Sequence, residues 1–264
     1  MKRTLLSIMA LVSIGVGLAN PQSACTIRNT SFKHGELVKF HVYYTLAGIW
    51  VHAGNVTFGV KQEMLNNKPV YHVTGDGSTL SSYDWIYRVR DRYETYIDTL
   101  TLLPQKFIRN VDEGGYRIYE NVTFYHDKKI AVTNNGVYNV PACVQDVLSE
   151  VYMARSFDFN KAKPNDLIPF DLFLDNNVYN MYIRYVGKET IKTRYGKFRC
   201  IKFKPLLLKG SIFEGGEEMT VWVTDDANKL PVRIESPITV GSIKVDMMGY
   251  YNLRHPLTAL LELR

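Results

Sequence analysis

The chain has 264 residues, a formal net charge of +6 and an apolar fraction of 46%. This length and apolar content allow a full hydrophobic core in one large or two small domains, and they argue against intrinsic disorder. The basic residues are spread along the chain without a nucleic-acid-binding motif, so we expect no nucleic-acid partner.

Residues 1–19 have the features of a secretory signal peptide. Lys2 and Arg3 precede an uncharged, mostly apolar stretch, and Gly17 and Ala19 are the small residues that a signal peptidase reads. The apolar stretch is too short for a comfortable membrane span. We therefore predict that residues 1–19 are cleaved during export. Retention as a membrane anchor is the alternative.

The chain contains three cysteines, Cys25, Cys143 and Cys200. In an oxidising compartment any two of them can pair, and the sequence does not choose between the three possible disulfides. A second cut after Ala24 would leave Cys25 first, as in lipoproteins. The residue three before it is Gln22 rather than an aliphatic one, which makes lipidation at Cys25 the less favoured alternative.

From Leu37 onward, apolar and polar residues alternate, as in Val38, Phe40 and Val42. Clusters of Gly, Asn and Asp that favour tight turns recur at regular intervals. They lie at residues 65–69, 112–116, 126–129, 133–137 and 194–198. The pattern predicts a mainly β protein with an antiparallel curved sheet, formed as a barrel, half-barrel or sandwich.

One segment, at about residues 144–157, has helical periodicity instead. Its apolar residues are spaced i, i+3, i+4, i+7 and i+8 and form one face of a helix. They are Val144, Val147, Leu148, Val151 and Tyr152, and the opposite side holds Gln145, Asp146, Ser149 and Glu150. We predict one amphipathic helix that packs on or inside the sheet. It joins two β halves, about 25–140 and 165–264, and a single domain over residues 20–264 is the favoured organisation.

The stretch "TVWVTDDANKLPVRIES", residues 220–236, contains the adjacent carboxylates of Asp225 and Asp226. Alternating residues flank them on both sides, which predicts two strands joined by a hairpin turn. A calcium loop needs further oxygen ligands at a spacing that this stretch lacks. We therefore interpret the acidic pair as part of a turn and predict no metal site.

The chain has no motif of a known catalytic class, such as G-x-S-x-G, H-E-x-x-H or a phosphate-binding loop. His72 and Asp76 would share one face of a strand, and an ordinary strand end is the favoured interpretation of that pair. Cys143 is more readily explained by a disulfide or by partial burial than by a role as nucleophile. We predict no catalytic residue and no cofactor.

The densest mixture of aromatic and charged residues is "SSYDWIYRVRDRYETYIDT", residues 81–99. Aromatic rings offer contact area and guanidinium groups offer directed hydrogen-bond donors, so such mixtures often line ligand-binding surfaces. They also form ordinary cross-strand pairs. The candidate ligand-binding residues are Tyr83, Trp85, Tyr87, Arg90, Arg92 and Tyr93.

Several stretches together resemble an exported bacterial family, domain of unknown function 3108. They include "GELVKFHVYYTLAGIWVHAGNVTFGV", "VRDRYETYIDTLTLLPQKFIRNVDEGGY", "VQDVLSEVYMARSFDF" and "YVGKETIKTRYGKFRCIKFKP". The likeness runs from about Gly35 to Arg254. It implies a periplasmic cell-envelope protein of a Gram-negative bacterium with a β-rich fold and one central helix. It implies no known activity.

A looser likeness is carried by "VWVTDDANKLPVRIES", which is similar to a hairpin of periplasmic lipoprotein carriers. Those carriers are half-barrels closed by helices around an apolar cavity for acyl chains. This chain has one predicted helix where such a carrier has several, which argues against a deep lipid cavity.

These observations favour a non-enzymatic binding or scaffold module of the envelope, whose ligand is a lipid, a lipoprotein segment or a glycan. An envelope protein is a further candidate partner. The alternative is a hydrolase of envelope polymers with a catalytic constellation that assembles only in the folded chain.

Overall fold

The computed structural model of the protein describes Cys25 and residues 27–46, 49–209 and 215–264. The predicted signal peptide lies outside these described residues. Within them, antiparallel strands form one continuous curved sheet that does not close, together with a single α-helix. The predicted fold class, mainly β with one helix, is confirmed.

The first part of the chain is a meander of strands in which each pairs with the next. Its strands are β1 (Leu37–Leu46), β2 (Ile49–Leu65), β3 (Lys68–Thr79), β4 (Arg90–Asp98), β5 (Pro104–Glu113), β6 (Tyr116–Tyr125), β7 (Ile130–Thr133) and β8 (Gly136–Asn139). Helix α1 (Val147–Ala154) follows.

The second part of the chain is another meander that returns towards the first. Its strands are β9 (Leu167–Leu174), β10 (Asn177–Lys192), β11 (Gly196–Pro205), β12 (Thr220–Thr224), β13 (Pro231–Pro237), β14 (Ser242–Tyr251) and β15 (Leu260–Leu263). Strand β15 pairs with β11 beside the main path of the sheet.

The two meanders join where β1 pairs with β14, in a register that places Leu37 opposite Tyr251. Strands β8 and β9 therefore stand at the two ends of the path. These ends approach each other, because the backbone of Gln145 exchanges two 2.8 Å hydrogen bonds with residues Asp171 and Phe173 of β9. Phe173 is buried in one apolar cluster with Phe124 of β6. The sheet thus curls around the helix.

Tight turns between the strands lie where the Gly, Asn and Asp clusters predict them. Between β2 and β3, Asn66 and Asn67 adopt φ values of 50° and 61°. Asparagine tolerates this left-handed conformation better than most residues. The alternation of apolar residues therefore predicts the strands, and these residues predict where the chain reverses.

Helix α1 is shorter than the predicted segment of 144–157. Asp146 is its N-cap and accepts hydrogen bonds from the backbone N–H groups of Leu148 and Ser149, both at 2.8 Å. Gln145 cannot join the helix because its backbone is bonded to β9. At the other end Arg155 is the C-cap. The capping box stabilises the first turn by satisfying N–H groups that a helix leaves unpaired.

The polar side of the helix is not a solvent-facing surface. Gln145, Asp146 and Ser149 are fully buried. Asp146 also accepts a 2.6 Å hydrogen bond from the hydroxyl of Thr95 on β4. The helix lies within the curve of the sheet, so Asp146 and Ser149 are held by capping bonds and by the contact with Thr95 rather than by water.

The central apolar core lies between α1 and the inner face of the sheet. Leu148, Tyr152 and Met153 supply the helix side, and Phe32 from the segment before β1 packs edge-on against Tyr152. Among the described residues, no helix has the length and apolar character needed to cross a membrane.

Cysteine pairing, which the sequence left open, is resolved by the fold. Cys25 and Cys143 form a disulfide with their Cα atoms 5.2 Å apart, and Cys200 is a buried free thiol. The disulfide ties the segment before β1 to the segment that leads into α1. Because the sulfur of Cys25 is engaged, it is not available for a lipid thioether.

The acidic pair of residues 225 and 226 lies in the hairpin turn between β12 and β13, as predicted. Asp226 accepts hydrogen bonds from the hydroxyl of Thr224 at 2.8 Å and from the backbone N–H of Asn228 at 3.0 Å. Asp225 forms a 2.8 Å ion pair with Lys188. The two carboxylates therefore stabilise a turn, each with its own protein partners.

Candidate functional site

A cavity of about 980 Å³ lies between α1 and the inner face of the sheet. This volume is at the upper end of the range of small-molecule sites, about 300–1,000 Å³. Strands from both meanders contribute its mostly apolar lining. The apolar residues include Val111, Ile118, Phe170, Leu172, Met181, Ile183, Phe203, Val221, Val223 and Ile234. The single predicted helix argues against a deep lipid cavity, and the structure nevertheless leaves this space beside it.

One helix supports such a cavity because part of its apolar stripe borders the open space. Leu148 and Tyr152 are buried in the packed core. Val147, Val151 and Ala154, spaced i, i+4 and i+7, contact the same core and also line the cavity. The sheet curls far enough to enclose the second side, so no further helix is needed to cover it.

Glu150 lies on the cavity face of the helix, between Val147 and Val151. No hydrogen bond or ion pair to its carboxyl group is found among the described residues. Burial, with a smaller contribution from the negative charge of Asp146, raises the pKa of Glu150 to about 8. At neutral pH this side chain is therefore mainly protonated, and it can donate a hydrogen bond inside the cavity.

Arg109 and Arg155 are buried cations of the cavity wall. The guanidinium of Arg109 forms an ion pair with Glu120 at 3.1 Å and another with Asp175. Burial raises the pKa of Glu120, because desolvation outweighs the attraction of Arg109. These carboxyl groups largely balance the charge of Arg109, while Lys209 and Lys229 also line the cavity.

Glu113 is the last residue of strand β5 and lines the cavity near one end. Burial, followed by a hydrogen bond with Asp91, raises the pKa of Glu113 to about 7. Two carboxyl groups that face each other resist ionising together, which adds to the effect of burial on the pKa of Glu113.

The cavity opens at one end of the sheet, where the turn between β5 and β6 meets the connection between β11 and β12. Tyr87 and Tyr116 line it there, and Leu207 and Lys209 line it from the other side. Tyr87 packs against Gly114, where a Cβ atom would lie 2.5 Å from the ring. A glycine is needed at this turn both for that contact and for its φ of +57°. Residues 210–214 lie outside the described residues.

The six candidate ligand-binding residues fall into three places. Tyr87 and Tyr93 line the cavity. Tyr83 and Trp85 belong to the connection between β3 and β4, a short 3-10 turn at Ser81–Tyr83 followed by irregular chain rather than a strand.

The two arginines of that set are engaged in ion pairs outside the cavity lining. Arg90 pairs with Asp84 at 2.5 Å, and Arg92 pairs with Asp76 at 2.7 Å. Ligand contact by the candidate residues stays a prediction, and the geometry supports it best for Tyr87 and Tyr93.

His72 is largely buried and contacts two glutamates rather than pairing with Asp76. Its ring nitrogens lie 3.2 Å from Glu63 and 2.7 Å from Glu94, and its ring stacks on Tyr96. Within the described part of the chain, no group of three or more His, Cys, Asp or Glu side chains is arranged to hold a metal ion.

A family model described as protein of unknown function, DUF3108, matches residues 39–248. The chain belongs to the DUF3108 family. The match covers most of the chain, including the cavity-lining strands from both meanders. Comparison with the curated proteins gives no match.

Solved structures support the fold of this DUF3108 protein. A β-barrel-like protein of the DUF1849 family from Brucella abortus has a TM-score of 0.52 and 6% sequence identity, and the alignment covers 85% of this chain and 98% of that one. At that identity the likeness concerns the fold alone.

Two further structures align with lower scores. One, from Bacteroides fragilis, is described as an exported protein with a YmcC-like fold, and has a TM-score of 0.36, 14% identity and coverage of 86% and 100%. The other is described as a lipoprotein of Parabacteroides distasonis, with a TM-score of 0.39, 16% identity and coverage of 86% and 99%.

Sequence reasoning missed the most distinctive polar residues of the cavity in this DUF3108 protein. Glu150 was assigned to the polar side of an amphipathic helix, and Arg109 and Glu113 belonged to no recognised motif. The available signal was the alternation in "LIPFDLFL", which puts Phe170, Leu172 and Leu174 on one strand face. Alternation identifies such a face but does not say whether it meets a packed core or an open space.

Proposed function

We propose that this protein is a non-enzymatic binding protein for a molecule that carries a long acyl chain, such as a lipid or an acylated lipoprotein segment. The observation that carries the proposal is the large, mostly apolar cavity between α1 and the sheet. An acyl chain is stabilised by burying apolar surface and needs few directed contacts. A glycan fits this lining less well, because its hydroxyl groups would lose hydrogen bonds to water.

The polar groups of the cavity support a ligand with a polar end. Glu150, mainly protonated, offers a hydrogen-bond donor among Val147 and Val151. Tyr93 is protonated as well, because burial raises its pKa to about 12. Donors without net charge suit the neutral carbonyl or hydroxyl groups of an ester or amide linkage.

The proposed location is the periplasm. The apolar stretch after Lys2 and Arg3 is typical of a signal peptide. The Cys25–Cys143 disulfide agrees with an oxidising compartment. Since that disulfide uses the sulfur of Cys25, we propose an exported protein without a lipid anchor. Mass spectrometry of protein from the periplasm tests this: we expect an N-terminus at Asn20, whereas a diacylated Cys25 would contradict it.

The binding proposal is tested with the variant Val151→Trp. Val151 lines the cavity, so an indole at this position occupies the space that an acyl chain would fill. We expect the unmodified protein to retain lipid that mass spectrometry detects and to bind a long-chain fatty acid, and we expect Val151→Trp to lose at least about tenfold in affinity.

The matched control is Leu100→Trp, which adds an indole at an exposed position in the turn between β4 and β5. It should bind the fatty acid like the unmodified protein. Equal binding by Val151→Trp, with an unchanged urea midpoint, would contradict the proposal. Replacing the fatty acid with an acylated lipopeptide then separates a free lipid from a lipoprotein ligand.

A second candidate function is a hydrolase of envelope polymers, favoured by two carboxyl groups with raised pKa values, Glu113 and Glu150, in one cavity. Among the described lining residues there is no histidine, serine or cysteine, so the other titratable lining groups are Asp175, lysines, arginines and tyrosines. Release of products from a peptidoglycan or glycan substrate that Glu150→Gln abolishes would favour this candidate over binding.

A further inference from the structure

Large exposed apolar side chains, including two tryptophans, lie at the end of the sheet where Tyr87 and Tyr116 line the cavity. Ile49 and Trp50 begin β2, Trp85 and Ile86 lie between β3 and β4, Tyr116 begins β6, and Val240 lies between β13 and β14. In an antiparallel sheet with this strand order, these four positions lie at the same end. We call this set the apolar rim, and it consists of Ile49, Trp50, Trp85, Ile86, Tyr116 and Val240.

The exposure of the rim is large for side chains of this size. Trp85 is 82% exposed, Ile49 68% and Ile86 62%. Trp222, by contrast, is 9% exposed within the fold. Contiguous exposed apolar surface of this kind is typical of interaction sites.

The connections of the rim are held together by hydrogen bonds, so they form a defined surface. The hydroxyl of Tyr44 donates to the carbonyl of Val240 at 3.0 Å. The N–H of Gly114 donates to the carbonyl of Arg88 at 2.8 Å, which ties the β5–β6 turn to the β3–β4 connection.

The polar atom of the Trp85 indole already has a hydrogen-bond partner, so the ring can enter an apolar environment. Its Nε1–H donates to the carbonyl of Ser82 at 2.9 Å, within the same turn. The one polar atom of the side chain therefore has an internal partner, and moving the ring out of water leaves no indole donor unpaired. Tryptophan is enriched at the boundary between lipid and water for this combination of a large ring and one donor.

Two cations near the rim have acidic partners. Arg88 pairs with Asp112 at 2.7 Å, and Lys244 pairs with Glu235 at 3.0 Å while its ammonium group lies over the ring of Trp50. Such pairing reduces the positive charge that these two side chains offer to anionic headgroups. Contact with a lipid surface would therefore depend on apolar insertion rather than on charge.

The rim continues into the cavity. Tyr116 belongs to both, and Tyr87, next to Ile86, lines the opening. We propose that the apolar rim docks on the surface of a phospholipid bilayer, with the mouth of the cavity facing the lipid. A molecule with an acyl chain can then pass between bilayer and cavity without crossing water. Docking itself requires only the rim, so it does not depend on what the cavity binds.

The test is flotation of the purified protein with phosphatidylcholine vesicles at low and high salt. We expect binding that is independent of salt, and quenching of tryptophan fluorescence by brominated lipid. The double variant Trp85→Ser/Ile86→Ser should bind at least about tenfold more weakly, because two apolar side chains no longer leave water. Trp85→Phe should bind with much less quenching.

A matched control is Met64→Ser/Leu100→Ser, which removes two side chains of similar exposure, 66% and 70%, from the opposite end of the sheet. It should bind vesicles like the unmodified protein. Equal weakening by both double variants would overturn the proposal, as would absence of binding to phosphatidylcholine or binding to anionic vesicles alone that salt abolishes.

The variant Val151→Trp separates docking from ligand binding. We expect it to float with vesicles like the unmodified protein even when it no longer binds fatty acid. Normal vesicle binding together with no fatty-acid binding by the unmodified protein would contradict the function proposed for the cavity and leave docking supported. Fatty-acid binding by the unmodified protein without binding to vesicles would overturn the docking proposal and leave the function proposed for the cavity supported.

Discussion

The guanidinium of Arg155 donates two hydrogen bonds to the carboxylate of Glu36, at 2.6 and 2.9 Å, across a sequence separation of 119 residues. Both side chains are almost fully buried. The guanidinium also donates to the carbonyl of Asn228 at 3.1 Å, and its carbon lies 5.1 Å from the ring centre of Tyr152. This one side chain therefore connects the end of α1 to the start of β1 and to the β12–β13 turn.

Breaking this pair should destabilise the fold strongly. We expect Arg155→Met to lose about 3–5 kcal/mol of unfolding free energy, because it leaves the carboxylate of Glu36 buried without its cation. The double variant Glu36→Gln/Arg155→Met should recover part of the loss, since no unpaired charge remains. Urea denaturation measures both. A loss for the single variant within about 1 kcal/mol, typical of a surface pair, would contradict the prediction.

The pH dependence of stability should reveal the unpaired carboxyl of Glu150. The pKa of Glu150 is about 8 in the folded protein, against an ordinary value of 4.5 for a glutamate side chain. The folded state therefore holds the proton more tightly than the unfolded chain does. Stability should therefore fall as pH rises through this window, by a few kcal/mol at most. Glu150→Gln cannot ionise and should flatten the decline.

The measurement is urea unfolding at several pH values between 4.5 and about 8. Glu113, with a pKa of about 7, contributes a decline of the same sign, so Glu113→Gln serves as the comparison. Parallel pH profiles for the unmodified protein and Glu150→Gln would show that Glu150 does not titrate as described.

Reduction of the Cys25–Cys143 disulfide should lower stability. The bond closes a loop over a sequence separation of 118 residues, and removing such a constraint increases the entropy of the unfolded chain. We expect a reductant to lower the unfolding free energy by about 2–5 kcal/mol. The variant Cys25→Ser/Cys143→Ser should have that lower stability without reductant and should not respond to it.

Thiol labelling gives an independent check of the same pairing. In denaturant without reductant, a single thiol, that of Cys200, should react. Labelling of Cys25 or Cys143 under these conditions would contradict the assignment.

The N-cap of α1 should tolerate asparagine in place of Asp146 but not alanine. Asp146→Ala removes the acceptor for the N–H groups of Leu148 and Ser149 and for the hydroxyl of Thr95. We expect a loss of about 2–4 kcal/mol in unfolding free energy, from the lost cap and the buried donors left unpaired. Asp146→Asn should lose much less, because asparagine is a comparable N-cap. Equal losses would argue against capping as the main role.

Much of the fold is predictable from the sequence because local rules decide it. The alternation of Val38, Phe40 and Val42 predicts β1, and Asn66 and Asn67 predict the turn after β2. The helix ends are less predictable, because Gln145 is drawn out of the helix by its hydrogen bonds to β9, a strand that follows in the chain. Such a contact between distant segments overrides local periodicity.

The candidate site is predictable only in part. Aromatic density selects Tyr87 and Tyr93, which line the cavity, and it also selects Arg90 and Arg92, which bind neighbouring carboxylates. The cavity itself is not encoded in any one stretch. Its walls are strands from both meanders, so its existence depends on how far the sheet curls, a property that periodicity does not report.

The pairing of β1 with β14 bears on how the chain reaches its native state. Leu37 can pair with Tyr251 only after almost the entire polypeptide has been synthesised. A topology with so many distant contacts folds slowly, since each contact must first close a long loop. During synthesis one side of β1 therefore lacks its neighbour until β14 is available. An unpaired strand edge of this kind can pair with another chain, so the last long strand also protects β1 from aggregation.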